Sequence, residues 1–209
     1  MNALNKVKEN LFAQIFVVYT RYLIGGALVF ASLIKIKGYR FTTLSGENEP
    51  INSAWHFFET MYQSGLYWKF IGLGQLAAGF LLMTQRYSKP GALLAFPITS
   101  NIFVITISYY FALTPVITGM MLLANCILIF WEWNELKILF NLKPEIENKT
   151  RFEKDITWQL TGLGLFLFTF IYRVIVDYYN IFFWGIICVT IGGLGLIIGL
   201  TRKKNYKKA

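Results

Sequence analysis

Charge is scarce in this chain. Only 15% of its 209 residues are Asp, Glu, Lys or Arg, where soluble domains carry about a quarter. A soluble globular fold is therefore not the expectation. Histidine is scarcer still: His56 stands alone, which removes the paired imidazoles of a haem-bearing bundle. No metal-ligand cluster is visible either, and His56 itself is expected at the surface. The two cysteines, Cys126 and Cys188, lie far apart in apolar runs. No CxxC exists, so thiol–disulfide exchange has no motif to work with, and both are expected to be small buried hydrophobes. There is no Ser/His/Asp constellation and no phosphate loop. No residue is assigned a catalytic role, and no autonomous enzyme activity is expected.

What the chain has is hydrocarbon. Apolar residues make up 56% and aromatics 18%, with a mean hydropathy of +0.49. Six apolar runs can be marked, at Leu11–Ile36, Leu66–Gln85, Pro90–Leu113, Thr114–Trp133, Trp158–Val176 and Tyr179–Thr201. Each is long enough to cross a hydrocarbon core of about 30 Å as a helix. The expectation is an all-α, six-span transmembrane protein. A net charge of +9 could suggest nucleic acid, but the basic residues sit at the ends and in short loops, as topology anchors do. If the N-terminus is cytoplasmic, only Lys35, Lys37, Arg40, Lys69 and Arg173 fall on the far side. Lys6, Lys8, Arg86, Lys89, Lys137, Lys143, Lys149, Arg151, Lys154 and the tail cations fall inside. The positive-inside rule then places both termini in the cytoplasm. No small-residue cleavage site follows the short basic start, so the first run is expected to stay as an anchor.

Loop character divides the chain further. The Arg86–Gly91 and Tyr109–Pro115 connections are tight, which predicts an antiparallel four-helix core over residues 1–140. The outer loop Gly38–Asn52 leads into a helix at 53–65, with Trp55, Phe58, Met61 and Tyr62 opposite His56, Glu59, Thr60 and Gln63. Ser53 is placed to cap it. That helix is expected in the outer interface, as a lid or a plain anchor. Leu136, Ile138, Leu139, Phe140 and Leu142 are expected along the inner membrane surface. Residues 141–157 form a cytoplasmic loop, and 158–209 an added two-helix hairpin with a basic tail. The tail either fixes topology or meets anionic headgroups.

Arg21 does not belong in this pattern. It falls about ten residues into the first run, and a guanidinium in a bilayer costs from ~3 to well over 10 kcal/mol. It must face protein or water. Helical spacing puts Arg21, Gly25, Leu28, Ser32 and Lys35 on one face. Gly72, Gln75 and Gly79 share a face of the second run, Pro97, Asn101, Val104 and Ser108 one of the third. Thr118, Leu122, Asn125, Ile129 and Glu132 share one of the fourth. These small and polar faces are expected to turn inward. Counting from the helix ends puts Arg21, Gln75, Asn101 and Asn125 at a common depth of roughly 15 Å. Glu132 comes about 10 Å nearer the inside. The candidate ligand-binding set is therefore Arg21, Gln75, Asn101 and Asn125, with Glu132 as counter-charge. One reading makes the set a site for an anionic or carbonyl-bearing headgroup, a lipid phosphate or a quinone oxygen. The other makes it polar glue between helices. A small transporter is a third reading, weakened by the lack of a continuous charged path or inverted repeat.

Arg21 with Gly25-Gly26 and Lys35, then Gly72-Leu-Gly-Gln75-Leu-Ala-Ala-Gly79, then the Arg86–Gly91 turn, resemble the DoxX-like family of small bacterial membrane proteins over about residues 12–140. The resemblance implies a four-helix bundle in the bacterial cytoplasmic membrane, in a family sometimes tied to quinone-linked oxidoreductase systems. Through that tie the resemblance implies a quinone ligand and a redox partner protein. Many relatives carry an acidic residue where this chain has Gln75. Helices five and six lie outside the resemblance.

Overall fold

The computed structural model describes residues 3–110, 112–145, 151–178 and 180–206. Phe111, Lys149, Tyr179 and the tail beyond 206 lie outside them. Helices α1 (Ala3–Glu9), α2 (Leu11–Ile36), α3 (Ala54–Gln63), α4 (Leu66–Met83), α5 (Ser88–Ser108), α6 (Thr114–Trp131), α7 (Trp133–Leu136), α8 (Ile156–Ile175) and α9 (Ile181–Tyr206) follow in order, with short 3₁₀ turns at Lys137–Phe140 and Phe152–Lys154. Among the described residues there is no strand. Six of the helices, α2, α4, α5, α6, α8 and α9 up to Lys203, are long and apolar enough to cross a bilayer. The chain has the make-up of a multi-pass membrane protein.

Local chemistry sets the helix starts. The Asn10 side chain accepts from the amides of Phe12 and Ala13 at α2, and Asp155 accepts from Thr157 at α8. Pro115 fills the first turn of α6, where a missing N–H costs nothing. The fourth apolar run stops at Trp131 rather than Trp133, and the second at Met83, because the chain then turns through Gln85 at positive φ.

Helix α2 is the centre of the molecule. In its apolar stretch 67% of residues are buried, against 11% for α9. One of its sides carries Val17, Ile24 and Leu28 into a core with Ala78, Leu82, Ala92, Ala95, Leu128 and Trp131. Another carries Val18, Tyr22, Val29 and Leu33 into a second core with Met83, Trp158 and Leu165. Helix α8 is therefore packed directly on α2 and α4, across the boundary drawn at residue 140. Small residues bring α2 and α4 together: a Cβ on Gly79 would stand 2.7 Å from the Gly25 carbonyl.

At the far end of α2, Lys37 donates to Asp177, just past α8, at 2.7 Å. Beside it Ser53 caps α3, accepting from His56 N–H. His56 is half-buried, and its Nδ1 has no partner. Glu59 lies on the side of α3 opposite the aromatic residues, and it is buried. Its carboxylate takes three hydrogen bonds from Arg40 and one from the Gly46 amide. The Arg40 hydrogen bonds hold this carboxyl below its usual range despite the opposing effect of burial. A lowered folded pKa stabilises above the unfolded value and is lost as pH falls through the folded one. Protection of residues 38–52 in hydrogen exchange should thus persist at neutral pH and fall away below about pH 4. Glu59→Gln should lose it already at pH 7; a loop equally protected in the variant would show the pair to be idle.

Candidate ligand site at the buried arginine

Arg21 is 3% exposed, and its partners come from three other parts of the chain. One terminal nitrogen donates to Gln85 Oε1 at 2.9 Å, the other to Glu132 Oε1 at 2.7 Å. Glu153 Oε2 lies 3.6 Å from that second nitrogen. Each partner is itself held. Gln85 donates to the Val18 carbonyl of α2. Glu132 ends α6, with its N–H on the Leu128 and Ile129 carbonyls. Glu153 accepts from Trp131 Nε1 at 2.8 Å and from Arg151 at 3.3 Å, and its amide donates to Gln14 Oε1. Gln14 in turn donates to the Lys8 carbonyl, tying in α1. Within this cluster two arginines, Arg21 and Arg151, face two glutamates, Glu132 and Glu153.

Beside it opens a cavity of about 260 Å³, lined by Arg21, Gln85, Arg86, Ser88, Lys89, Glu132, Glu153, Lys154 and Gln159. Lys89 forms a salt bridge with Glu135, and Arg86 stacks on Tyr87. Arg86 and Lys154 are exposed at the rim. The lining is polar and on balance cationic. It has the chemistry to hold an anion or a polar headgroup. Among the described residues no group of His, Cys, Asp and Glu could hold a metal ion.

The expected pairing of Arg21 with Glu132 is direct, without a bridging water. The expected amide shell is not there. Gln75 is buried, but its Oε1 has no partner. It lies ten residues from Gln85, about 15 Å along the helix. Asn125 is fully buried and donates to the Ala92 carbonyl, with Oδ1 unpaired. Asn101 is exposed on α5. The depth count fails because α2 runs some ten residues past the end of α4, so Arg21 is level with helix ends rather than helix middles. The face assignment fails on α5 because close packing selects its small residues: Gly91, Ala92, Ala95 and Thr99 turn inward instead. Cys126 is likewise exposed on α6, while Cys188 is partly buried.

Gln85 and Glu153 are the partners that helix periodicity misses, since both lie in connections. Alternation of the spans was a usable signal for Glu153. An even number of crossings separates it from the start of α2, which returns the 141–157 loop to the arginine's end. Comparison of the chain with family models, curated proteins and solved structures returned no match.

Proposed function

We propose that this protein binds the anionic headgroup of a membrane-borne amphiphile in the cavity beside Arg21. The observation that carries the reading is the cationic lining, Arg86, Lys89 and Lys154, of a cavity of about 260 Å³ at the ends of spanning helices. Basic pockets between helices at the cytoplasmic face suit lipid headgroups. In this reading the positive-inside rule puts that end, and both termini, in the cytoplasm of a bacterial inner membrane. Arg21 is the wall of the site and the rim cations are its hands. A quinone-like ligand, and service as the membrane subunit of a redox system, follow from the DoxX-like pattern of residues 12–140. That pattern also supports the four-helix core.

Native mass spectrometry from mixed bilayers of phosphatidylglycerol and phosphatidylcholine tests the proposal. Wild type should retain the anionic lipid, and Arg86→Ala with Lys154→Ala should lose it about tenfold, with unchanged melting. Competition by inorganic phosphate would assign the site to a free anion, whereas competition by a short-chain quinone would favour the redox reading. Equal retention by wild type and double variant would overturn it.

One observation favours a second reading. Arg21 already has two carboxylates and an amide, so the cluster can serve purely to lock α2 to α4, α6 and the turn before α8. The protein is then an assembly partner whose polar cluster has no ligand.

A further inference from the structure

Helix α5 has two stripes at helical spacing, on opposite sides. The inward one, Ala92, Ala95, Thr99 and Thr106, is buried against α4 and α6. The outward one, Leu94, Pro97, Asn101, Val104 and Ser108, repeats in steps of three and four and is exposed along its whole length. This outward stripe faces what a spanning helix meets, hydrocarbon or another protein. Asn101 sits about 20 Å along a helix of about 31 Å, well inside the hydrocarbon layer. Its amide makes no hydrogen bond among the described residues. Among the described residues of the spanning helices, the other side-chain amides, Gln14, Gln75, Asn125 and Gln159, are buried or half-buried. One turn away on the same stripe, Pro97 has no N–H to give the Leu93 carbonyl, so the ladder of the helix is interrupted beside this face. Lipid tails cannot satisfy the Asn101 amide.

We propose that this stripe is the interface of a homodimer. The occupant is a second copy because the chemistry of the face is self-complementary. A carboxamide is both donor and acceptor, so Asn101 can pair with Asn101 across a two-fold axis, the commonest symmetry of homo-oligomers. Nothing on the face repels its own image. Lys89 is the lone ionisable residue of α5, it lies in the first turn, and it is paired with Glu135. Helix α6 beside it carries no charged residue. Asn101 and Ser108 both carry side chains that hydrogen-bond across paired transmembrane helices. The inference is independent of what fills the Arg21 cavity.

The test is disulfide trapping in liposomes, in full-length protein with Cys126→Ser and Cys188→Ser. Val104→Cys, on the stripe, should cross-link to a dimer. Val189→Cys, exposed on α9 outside it, should not. Asn101→Leu should reduce the Val104→Cys dimer about fivefold at fixed protein-to-lipid ratio, and Asn101→Gln should restore most of it. The α5 changes leave its buried side untouched, and the Cys126→Ser, Cys188→Ser background is common to every comparison. Equal trapping at 104 and 189, a dimer indifferent to Asn101→Leu, or a monomer at every lipid dilution would each overturn the proposal.

Discussion

Replacing Arg21 by alanine should cost about 3–5 kcal/mol, the penalty for stranding a buried charge partner, and leave little folded protein in mild detergent. The reason is the company the arginine keeps. Glu132 and Glu153 are both buried, and both lie within 4 Å of one guanidinium nitrogen. Glu153 keeps Arg151 and Trp131 after the substitution, but Glu132 loses the salt bridge that neutralises it. Arg21→Lys should recover only part of the loss, because one ammonium cannot reach Gln85 and two carboxylates as a planar fork does. Removing the charge and its partner together is the sharper experiment. Arg21→Leu with Glu132→Leu should melt close to wild type, since a buried ion pair is worth little against apolar packing of similar size. That rescue would assign the arginine to structure. If the Arg21→Ala protein instead melts normally and has lost its anionic lipid, the guanidinium belongs to the ligand.

How much of this was legible beforehand depends on the range of the interaction. The six long helices follow from apolar runs alone. That Arg21 needs a counter-charge, and that Glu132 supplies it, follows from the cost of a bare charge and the few acids within reach. What helical spacing could not supply was the relative sliding of helices. Gly25 against Gly79 sets that offset, and it moves Arg21 from the middle of the bundle to the ends of α4 and α6. Nor does periodicity decide between two stripes on α5 that both recur every three or four residues. The small one packs and the amide-bearing one faces out, because close approach of helices rewards missing side-chain volume before it rewards hydrogen bonding. Glu59 shows the same limit in α3: its place opposite the aromatic residues names no partner, and Arg40, from a loop 19 positions earlier, supplies one.

A large loss from a single added methyl group is expected at Gly162. It lies in the interior of α8, where alanine on helix propensity alone would add about 1 kcal/mol. The opposite sign should be observed. A Cβ there would land on the Met83 carbonyl at the end of α4 and stand 2.7 Å from the Tyr22 ring of α2. Both are walls that cannot swing away: Met83 is nearly fully buried backbone, and the Tyr22 hydroxyl is tied to the Trp158 carbonyl. Helix α8 must therefore back off from α2 and α4, taking with it the turn that carries Glu153 to Arg21. Overpacking of this kind costs about 1–3 kcal/mol or more, and here it loosens the charged cluster as well. Gly185 on α9 supplies the control, since nothing stands within 4 Å of its would-be Cβ. Thermal melting in detergent should show Gly185→Ala at or above wild type and Gly162→Ala well below it. Matching melts would mean that α8 is not seated on α4, and that Glu153 reaches Arg21 by some other route or not at all.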